Sequence, residues 1–257
     1  MHNCKPVATP LIPNSTVNKE EPDISLDQHD VTKFHELIGG LMYIVTCTRP
    51  DIAAAVGQLA RVMSQPSKLH WSAAKHILRY LKGTKGLSLT YGNARDEERE
   101  NLIGFSDANF GGDSATARST TGYAFILNGA AVSWKSKLQS VVALSTAEAE
   151  YMALCETVKE AVYLQQLLEE IGLKALPVTI YEDNQPCIHI ASNPVTSNRS
   201  KHIAVRYHYV REVISNGKVQ VLYKSTQEMV ADCLTKNLAK DKVEKFRSML
   251  LGMPSTM

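Results

Sequence analysis

The sequence has 257 residues, of which 44% are hydrophobic and 21% are charged, and its formal net charge is only +2. These values are typical of a globular protein and exclude an intrinsically disordered chain. The five cysteines are scattered and form no Cys-x-x-Cys pair, which argues against a disulfide framework or a zinc ribbon. Without an apolar leader or a membrane-length run, we expect a soluble intracellular protein, in the cytoplasm or nucleus, with no membrane partner.

The basic residues are concentrated in stretches that contain no acid. These stretches are residues 52–95, 114–147 and 184–211. Long stretches of one charge sign are expected where a polyanion lies on the surface. Ordinary solvated faces are the alternative for any one of them.

The first third of the chain is predicted to be mainly helical behind an extended arm. The arm, residues 1–30, contains four prolines and should be poorly ordered unless it docks. Apolar periodicity predicts helices over 34–46 (interrupted by Gly39-Gly40), 51–63 and 70–82. On the third helix Lys75, Arg79 and Lys82 line one face, which favours phosphate contacts over simple solvation.

The acidic run 96–100 contains no apolar residue and predicts a linker between two domains. We therefore expect a small, mainly helical region over 1–95 and a second domain over 101–257.

The second domain has the pattern of an α/β protein. Strands are predicted at 102–107, 122–127, 131–135, 178–182 and 218–223. Helices are predicted at 146–171, 187–191, 203–215 and within 228–251. Asn128-Gly129 predicts a hairpin, and Gly172 ends the long helix. This order predicts a mixed five-stranded sheet flanked by helices.

Four acidic residues stand out by their local context. Asp107 and Asp183 each follow an apolar strand, at the edge where α/β proteins commonly bind ligands. Glu150 lies in the first turns of the long helix, and Asp232 lies near the start of the last helix. Taken singly, the aspartates fit turn formers or a helix N-terminal charge. Together they point to a carboxylate cluster.

Helix geometry separates the two glutamates of Ser-Thr-Ala-Glu-Ala-Glu. Ser145 and Glu148 have the Ser-x-x-Glu spacing of a capping box. Glu150 lies about 200° further round the helix, at the head of the apolar stripe that should pack on the sheet. That stripe consists of Leu154, Val158, Ala161, Leu164 and Leu168. We therefore expect Glu150 to face the strand carboxylates and Glu148 to cap the helix.

Clustered carboxylates repel one another and raise one another's pKa unless cations neutralise them. Two Mg²⁺ ions about 4 Å apart can activate a water and stabilise a leaving 3′-oxygen in phosphodiester cleavage. Oxygen ligands without sulfur fit Mg²⁺ or Mn²⁺ better than zinc.

Seven stretches of the second domain resemble the RNase H domain of copia-type retrotransposon Pol polyproteins. In family order over about residues 101–240, they are Gly-Phe-Ser-Asp-Ala-Asn-Phe-Gly-Gly-Asp, Arg-Ser-Thr-Thr-Gly-Tyr, Val-Ser-Trp-Lys-Ser-Lys-Leu-Gln, Leu-Ser-Thr-Ala-Glu-Ala-Glu-Tyr-Met-Ala-Leu, Glu-Asp-Asn-Gln, Ser-Lys-His-Ile-Ala-Val-Arg-Tyr-His and Met-Val-Ala-Asp-Cys-Leu-Thr-Lys. The resemblance implies an RNase H-like fold and metal-dependent hydrolysis of the RNA strand of RNA–DNA hybrids. It implies that Asp107, Glu150, Asp183 and Asp232 are the catalytic, metal-binding residues.

The first region resembles the end of the reverse transcriptase, its thumb or connection, in the same polyproteins. The matches include Asn-Cys-Lys-Pro-Val-Ala-Thr-Pro-Leu, Thr-Arg-Pro-Asp-Ile-Ala and His-Trp-Ser-Ala-Ala-Lys-His-Ile-Leu-Arg-Tyr-Leu-Lys-Gly-Thr. The resemblance implies a role in guiding a template–primer duplex. The polymerase motif Tyr-x-Asp-Asp is absent, so we do not expect this chain to polymerise DNA alone.

The expected partners are an RNA–DNA hybrid or another nucleic-acid duplex and the rest of the reverse transcriptase polypeptide. Contacts to nucleic acid are predicted for Lys75, Arg79, Lys82, Arg118, Lys135, Lys137, Asn184, Gln185, Lys201, His202 and Arg206.

One departure concerns the mobile histidine that cellular RNase H enzymes carry before the last helix. The segment 224–229 has none. His202 or His208 is the candidate substitute, although charge favours phosphate binding or packing by Lys201, His202, Arg206 and His208. The alternatives to an RNase H are an inactive remnant that binds nucleic acid or partners, and a transposase-like DNA nuclease. The Glu-Asp-Asn-Gln and Ala-Asp-Cys-Leu sequences are typical of RNase H domains and disfavour the transposase-like DNA nuclease.

Overall fold

The computed structural model describes residues 1, 3–15, 17, 25–93, 101–173, 177–193 and 204–253. The predicted linker 96–100 and the predicted nucleic-acid contacts Lys201 and His202 lie outside these ranges. Within them, the predicted mixed five-stranded sheet flanked by helices is confirmed.

The sheet places its two central strands, β1 and β4, side by side and parallel. The strands are Ile103–Asn109 (β1), Thr120–Leu127 (β2), Ala130–Leu138 (β3), Val178–Glu182 (β4) and Val219–Tyr223 (β5). They lie in the order β3-β2-β1-β4-β5; β1, β2 and β3 are antiparallel, while β4 and β5 run parallel to β1. The predicted hairpin at Asn128-Gly129 joins β2 to β3, and both residues have positive φ, as a type I′ turn requires.

Seven α-helices lie in the described ranges. They are Gln28–Cys47 (α1), Ala53–Ala60 (α2), Lys68–Gly83 (α3), Thr146–Glu170 (α4), Gln185–Ser192 (α5), Ala204–Ser215 (α6) and Lys240–Leu251 (α7). Two 3₁₀ helices, Pro50–Ile52 and Val230–Leu234, precede α2 and α7. None of the helices in these ranges combines the length and the apolar character needed to cross a bilayer.

The first helix begins earlier than predicted, at Gln28, and continues through the Gly39-Gly40 pair that interrupts its apolar run. Phe34, Ile38 and Leu41 are buried on either side of the pair, and their packing outweighs the roughly 1 kcal/mol that each glycine costs a helix. The region predicted as one helical segment over 228–251 is split, because the chain turns between the 3₁₀ helix and α7. Asp232 therefore lies in the 3₁₀ helix and not at the start of the last helix.

Helix α4 covers one face of the sheet. Its stripe, with Leu154 and Val158, packs against Phe125 of β2 and Ile180 of β4, and α5 and α6 complete this core. The stripe repeats at intervals of three and four residues, as a helix lying on a sheet requires. Glu150 heads this stripe, so the packing of α4 fixes where its carboxylate lies.

Helix α7 lies between the opposite face of the sheet and the N-terminal helices. Phe246 and Leu250 pack with Phe105 of β1, whereas Val243 belongs to the core of α1, α2 and α3. The Trp134 indole N–H of β3 also donates to a backbone carbonyl of α1 at 2.9 Å. The N-terminal helices are therefore packed directly onto α7 and β3.

The described part of the N-terminal arm is docked. Leu11 and Val17 are buried in the core of the N-terminal helices. The backbone N–H of Asn14 donates to the carbonyl of Asn237 at 3.0 Å, and the Asn237 side chain donates to the carbonyl of Ser15 at 2.8 Å. The arm thus contacts the segment that connects the second 3₁₀ helix to α7.

Candidate metal and active site

Three aspartates meet near the carboxyl-terminal ends of the two central strands. Asp107 lies in β1, Asp183 directly follows β4, and Asp232 lies in the 3₁₀ helix. Phe105 lies opposite Tyr181 in the parallel pairing of β1 and β4, so Asp107 and Asp183, two residues further along each strand, fall side by side. A carboxylate oxygen from each aspartate lies within 4.8 Å of one from each of the others.

A second group of three carboxylates shares Asp183 with the first. Its other members are Glu150 of α4 and Glu182 of β4, again within 4.8 Å. The structure therefore brings all four predicted acids together and adds Glu182, which the sequence analysis missed. A signal existed in the alternation of β4, because Glu182 follows Val178 and Ile180 on the buried face of the strand.

The two glutamates of α4 separate as predicted. Glu150 is only 8% exposed and belongs to the second carboxylate group. Glu148 lies at the other side of the helix, where its backbone N–H donates to Ser145 Oγ at 3.2 Å. Its carboxylate accepts the N–H of Leu144 at 2.9 Å. Glu148 therefore caps α4, while Glu150 faces the sheet.

Burial makes these carboxylates hard to ionise. It raises the pKa of Asp107 to about 6, although the charge of Lys236 acts to lower it. Burial and then the charge of Glu182 raise the pKa of Glu150 to about 11. Burial also raises the pKa of Glu182 well above its ordinary value. Without bound cations, part of the cluster holds protons at neutral pH.

Lys236 bridges two of the aspartates. Its Nζ donates to Asp232 Oδ1 at 2.8 Å and to Asp107 Oδ1 at 3.2 Å. Burial lowers the pKa of Lys236, but the two carboxylates outweigh burial and raise it above the usual value. The hydroxyl of Thr235 donates to Asp107 Oδ2. The first carboxylate group is thus partly neutralised from within the protein.

Two further side chains contact the aspartates. Lys242 of α7 places its Nζ 3.5 Å from Asp232 Oδ2. Thr226 donates its hydroxyl to Asp183 Oδ2 at 2.6 Å. Thr226 lies in the segment between β5 and the second 3₁₀ helix. This is the segment 224–229, in which the sequence has no counterpart of the mobile histidine.

Gly122 of β2 allows the Asp232–Lys236 segment to approach the sheet. It lies opposite Asp107 in the antiparallel register. A Cβ added at this glycine would lie 2.5 Å from Thr235 Cγ2 and 3.0 Å from Leu234 Cβ. A glycine inside a strand often marks such a close approach, and here it brings Thr235 to Asp107.

The donor set of the two groups suits a hard divalent cation. The potential ligand atoms are carboxylate oxygens, which Mg²⁺ and Mn²⁺ prefer. Oε2 of Glu150 and Oε2 of Glu182 are buried and have no hydrogen-bond partner among the described residues. Because a buried carboxylate oxygen without a partner is unfavourable, a cation between these groups would relieve that cost.

The chain is similar over nearly its whole length to Pol polyproteins of plant transposons. The retrovirus-related Pol polyprotein from transposon TNT 1-94 of Nicotiana tabacum is 43% identical over 258 residues, covering 99% of this chain and 19% of the relative. The polyprotein from transposon RE1 of Arabidopsis thaliana is 37% identical over 255 residues, covering 96% and 16%. The chain belongs to the family of retrotransposon Pol polyproteins.

The chain spans less than a fifth of the length of these two relatives. No family model matches it. Among solved structures, LC11-RNase H1, isolated from compost, is similar over 57% of this chain and 97% of its own, with a TM-score of 0.42 and 12% identity.

Three predicted nucleic-acid contacts line one cavity beside α4. Lys135 and Lys137 of β3 and Arg206 of α6 surround a volume of about 160 Å³. Lys135 also forms an ion pair with Glu156 Oε2 at 3.1 Å. The structure thus brings together cations from two separate acid-free stretches.

The basic face of α3 contacts the protein itself. Arg79 Nε and Lys82 Nζ donate to the backbone carbonyls of arm residues 5 and 4, at 2.8 Å and 2.7 Å. The Lys75 ammonium lies 5.2 Å from the centre of the Trp71 ring. Arm docking and stacking account for these side chains, so their contact with nucleic acid stays a prediction.

The other predicted contacts are dispersed. Asn184 caps α5 through its side-chain oxygen, which accepts a backbone N–H of the first turn at 2.9 Å. Gln185 begins α5 and is exposed, and Arg118 lies half-buried in the loop between β1 and β2.

Proposed function

We propose that this chain acts as a metal-dependent ribonuclease of the RNase H type and hydrolyses the RNA strand of RNA–DNA hybrids. The observation that carries the proposal is the pair of carboxylate groups that share Asp183, which directly follows β4 and lies beside Asp107 of β1. Membership in the Pol polyprotein family and the RNase H motifs support the hybrid as substrate.

The carboxylates define which residues would hold the cations. Asp107, Asp183 and Asp232 would hold one, and Glu150 would hold a second with Asp183. When bound, two such cations supply an activated water and stabilise the oxygen that leaves the phosphorus. The proposed reaction joins the water oxygen to the phosphorus and breaks the bond to the 3′-oxygen, which takes up a proton. Its products carry 5′-phosphate and 3′-hydroxyl ends.

The protein's own side chains orient the ligands. Thr235 and Lys236 fix the two oxygens of Asp107, and Thr226 fixes Asp183. Neighbouring groups that orient a metal ligand typically change affinity or activity about 10–100-fold when altered. These contacts support a site whose carboxylates are positioned before the substrate arrives.

The cavity beside α4 supports a polyanionic substrate. Lys135, Lys137 and Arg206 offer three cationic side chains on the side of α4 that carries Glu156. Phosphate contacts position a duplex without reading its sequence. A wide minor groove and the 2′-hydroxyls distinguish the RNA strand of a hybrid from DNA, so we expect selection by backbone geometry and not by bases.

One observation favours the alternative of an inactive nucleic-acid-binding remnant. Lys236 already neutralises Asp107 and Asp232, and a lysine in this position competes with a cation for the same oxygens. The unpartnered oxygens of Glu150 and Glu182 favour the enzyme, because they are buried ligand atoms that Lys236 does not contact.

Cleavage of defined duplexes tests the proposal. The chain is incubated with Mg²⁺ and 5′-labelled RNA, presented as a hybrid with DNA, as a single strand and as an RNA duplex, and with a DNA duplex of the same sequence. We expect cleavage of the RNA in the hybrid alone, leaving 3′-hydroxyl ends. Binding of the hybrid without cleavage, by folded protein, would support the remnant, and cleavage of the DNA duplex would support the DNA nuclease.

A further inference from the structure

We propose that Glu182 is a fifth cation-binding carboxylate of this site and acts with Glu150 and Asp183. The assignment rests on the proposed metal-dependent function and deepens it, because it names a ligand beyond the four acids of the motif set.

The position of Glu182 is one that normally takes an apolar residue. Val178 and Ile180 precede it on the same face of β4, and both are buried against α4. Glu182 is itself fully buried. Glutamate is rarely fully buried unless it is paired, so a carboxylate at the end of this apolar face needs a partner.

The hydrogen bonds of Glu182 use only one of its oxygens. Oε1 accepts the backbone N–H of Asn184 at 3.2 Å. Oε2 is buried and accepts no hydrogen bond from the described residues, and the same is true of Oε2 of Glu150. The buried Ser106 hydroxyl, which is likewise unpartnered, acts on Glu182 to lower its pKa but does not outweigh burial. Each of these glutamates has a carboxylate oxygen within 4.8 Å of the other's and of one from Asp183.

The cationic side chains of the site lie on the other carboxylate group. Lys236 pairs with Asp107 and Asp232, and Lys242 pairs with Asp232. No ion pair to Glu150 or Glu182 forms in the part of the chain that the structure describes. Among the described residues, the carboxylates of the site that pair with no cationic side chain are therefore those of Glu150, Glu182 and Asp183.

The chemistry of these three side chains identifies the class of ligand. Carboxylate oxygens without nitrogen or sulfur donors select a hard divalent cation such as Mg²⁺ or Mn²⁺. A divalent cation there would offset two of the three negative charges of the ionised carboxylates and give both unpartnered oxygens a partner. A proton shared between Glu150 and Glu182 is the competing explanation, and direct measurement of cation binding separates the two.

The test uses Mn²⁺ binding to the full chain without nucleic acid, measured by calorimetry for the unmodified protein, Glu182→Gln and Glu169→Gln. Glu169 is an exposed glutamate of α4 and serves as the matched control. We expect Glu182→Gln to weaken Mn²⁺ binding by at least about 10-fold and Glu169→Gln to leave it unchanged. In EDTA, Glu182→Gln should melt at a higher temperature than the unmodified protein, and Mn²⁺ should raise its melting temperature less.

Unchanged Mn²⁺ affinity in folded Glu182→Gln would overturn the assignment. The assignment would also be overturned if Glu182→Gln melts at a lower temperature than the unmodified protein in EDTA while Mn²⁺ raises the melting temperature of both proteins equally. If this variant fails to fold, Glu182→Asp keeps the charge with a shorter reach. Weakened Mn²⁺ binding by Glu182→Asp supports the assignment, and unchanged binding overturns it.

The unmodified protein separates this failure from failure of the proposed function. If it binds no Mn²⁺, the metal-dependent function fails as well. If it binds Mn²⁺ and cleaves the hybrid while Glu182→Gln binds Mn²⁺ equally well, only the role of Glu182 fails.

Discussion

The ammonium of Lys236 lies 3.2 Å from Oδ1 of Asp107, although β1 and the segment after the second 3₁₀ helix are far apart in the sequence. The same ammonium pairs with Asp232 at 2.8 Å. Among the described residues, the counter-charges therefore lie on one side of the carboxylate cluster, beside Asp107 and Asp232, and none pairs with Glu150 or Glu182 on the other. This asymmetry determines how the site should respond to mutation, cations and pH.

Lys236→Met should destabilise the protein in EDTA, because the buried carboxyl groups of Asp107 and Asp232 lose a cationic partner. We expect the free energy of unfolding, measured with urea, to fall by about 1–3 kcal/mol. Breaking a fully buried pair costs about 3–5 kcal/mol, but the Lys236 side chain is 34% exposed, and solvent screens the interaction. In Mn²⁺, the free energies of unfolding of Lys236→Met and of the unmodified protein should differ by less than in EDTA.

The control is Lys240→Met, which removes an exposed lysine whose only described ion pair is a 3.9 Å contact with Glu244. Its free energy of unfolding should change by less than about 0.5 kcal/mol. An equal effect of the two substitutions in EDTA would contradict the role of Lys236 as counter-charge.

Gly122→Ala should destabilise the fold and move the Asp232–Lys236 segment away from Asp107. The added Cβ would lie 2.5 Å from Thr235 Cγ2, and such overpacking typically costs about 1–3 kcal/mol. Hybrid cleavage should fall as well. Gly39→Ala is the matched control, because a Cβ there meets nothing within 4 Å and should stabilise α1 by about 0.5–1 kcal/mol. Urea unfolding of both variants decides whether Gly122 is required for close approach.

Cation binding should release protons and tighten as the pH rises. Burial and the charge of Glu182 raise the pKa of Glu150 to about 11, so at neutral pH a cation must displace its proton. Calorimetry of Mn²⁺ binding in two buffers of different ionisation enthalpy measures the protons released. A heat of binding that is independent of the buffer would show that Glu150 is already ionised.

The same pKa values fix the sign of the stability change with pH. A carboxyl group with a raised pKa binds more protons in the folded state than in the unfolded chain. Its contribution to the free energy of unfolding is therefore fully present below the pKa that the group has in the unfolded chain. For Asp107 that contribution is lost as the pH rises from 3.8 through about 6, and for Glu150 from 4.5 toward about 11. In EDTA, the contribution of Asp107 and Glu150 to the free energy of unfolding should therefore be smaller at about pH 8 than at about pH 6.

Lys137→Ala should weaken binding of an RNA–DNA hybrid without changing the fold. Lys137 is exposed on β3 and lines the cavity beside α4. Loss of one phosphate contact should reduce the slope of log affinity against log salt by roughly 0.9. Lys218→Ala is the control, because Lys218 is exposed and precedes β5, at the opposite end of the parallel strands from the carboxylates. Equal salt slopes for all three proteins would remove Lys137 from the proposed interface.

The strands and the four acids could be predicted from sequence because local patterns determine them. The predicted bounds of β4 agree with the structure, since Val178 and Ile180 alternate cleanly before the chain turns at Asp183. The apolar stripe of α4 was enough to distinguish Glu150 from Glu148.

The remaining features of the site depend on contacts between distant segments. Lys236 lies close in sequence to Asp232, but its contact with Asp107 exists only after the 3₁₀ helix packs on β2. The carbonyls that accept hydrogen bonds from Arg79 and Lys82 belong to the N-terminal arm. No local sequence pattern indicates where that arm docks. Glu182 was hidden because an acid beside Asp183 resembles an ordinary strand end.

The central claim is that the carboxylates at the edge of the sheet perform metal-dependent cleavage of RNA, and Asp183→Asn tests it most directly. Asp183 belongs to both carboxylate groups, and asparagine keeps its shape and an oxygen for the Thr226 hydroxyl. The measurement is the rate of RNA cleavage in a labelled RNA–DNA hybrid with Mg²⁺, with Asp241→Asn on the exposed first turn of α7 as control. We predict cleavage by the unmodified protein and by Asp241→Asn, and a loss in Asp183→Asn larger than the roughly 10–100-fold typical of residues behind a ligand. Cleavage by Asp183→Asn at the unmodified rate, or none by the folded unmodified protein, would contradict the claim.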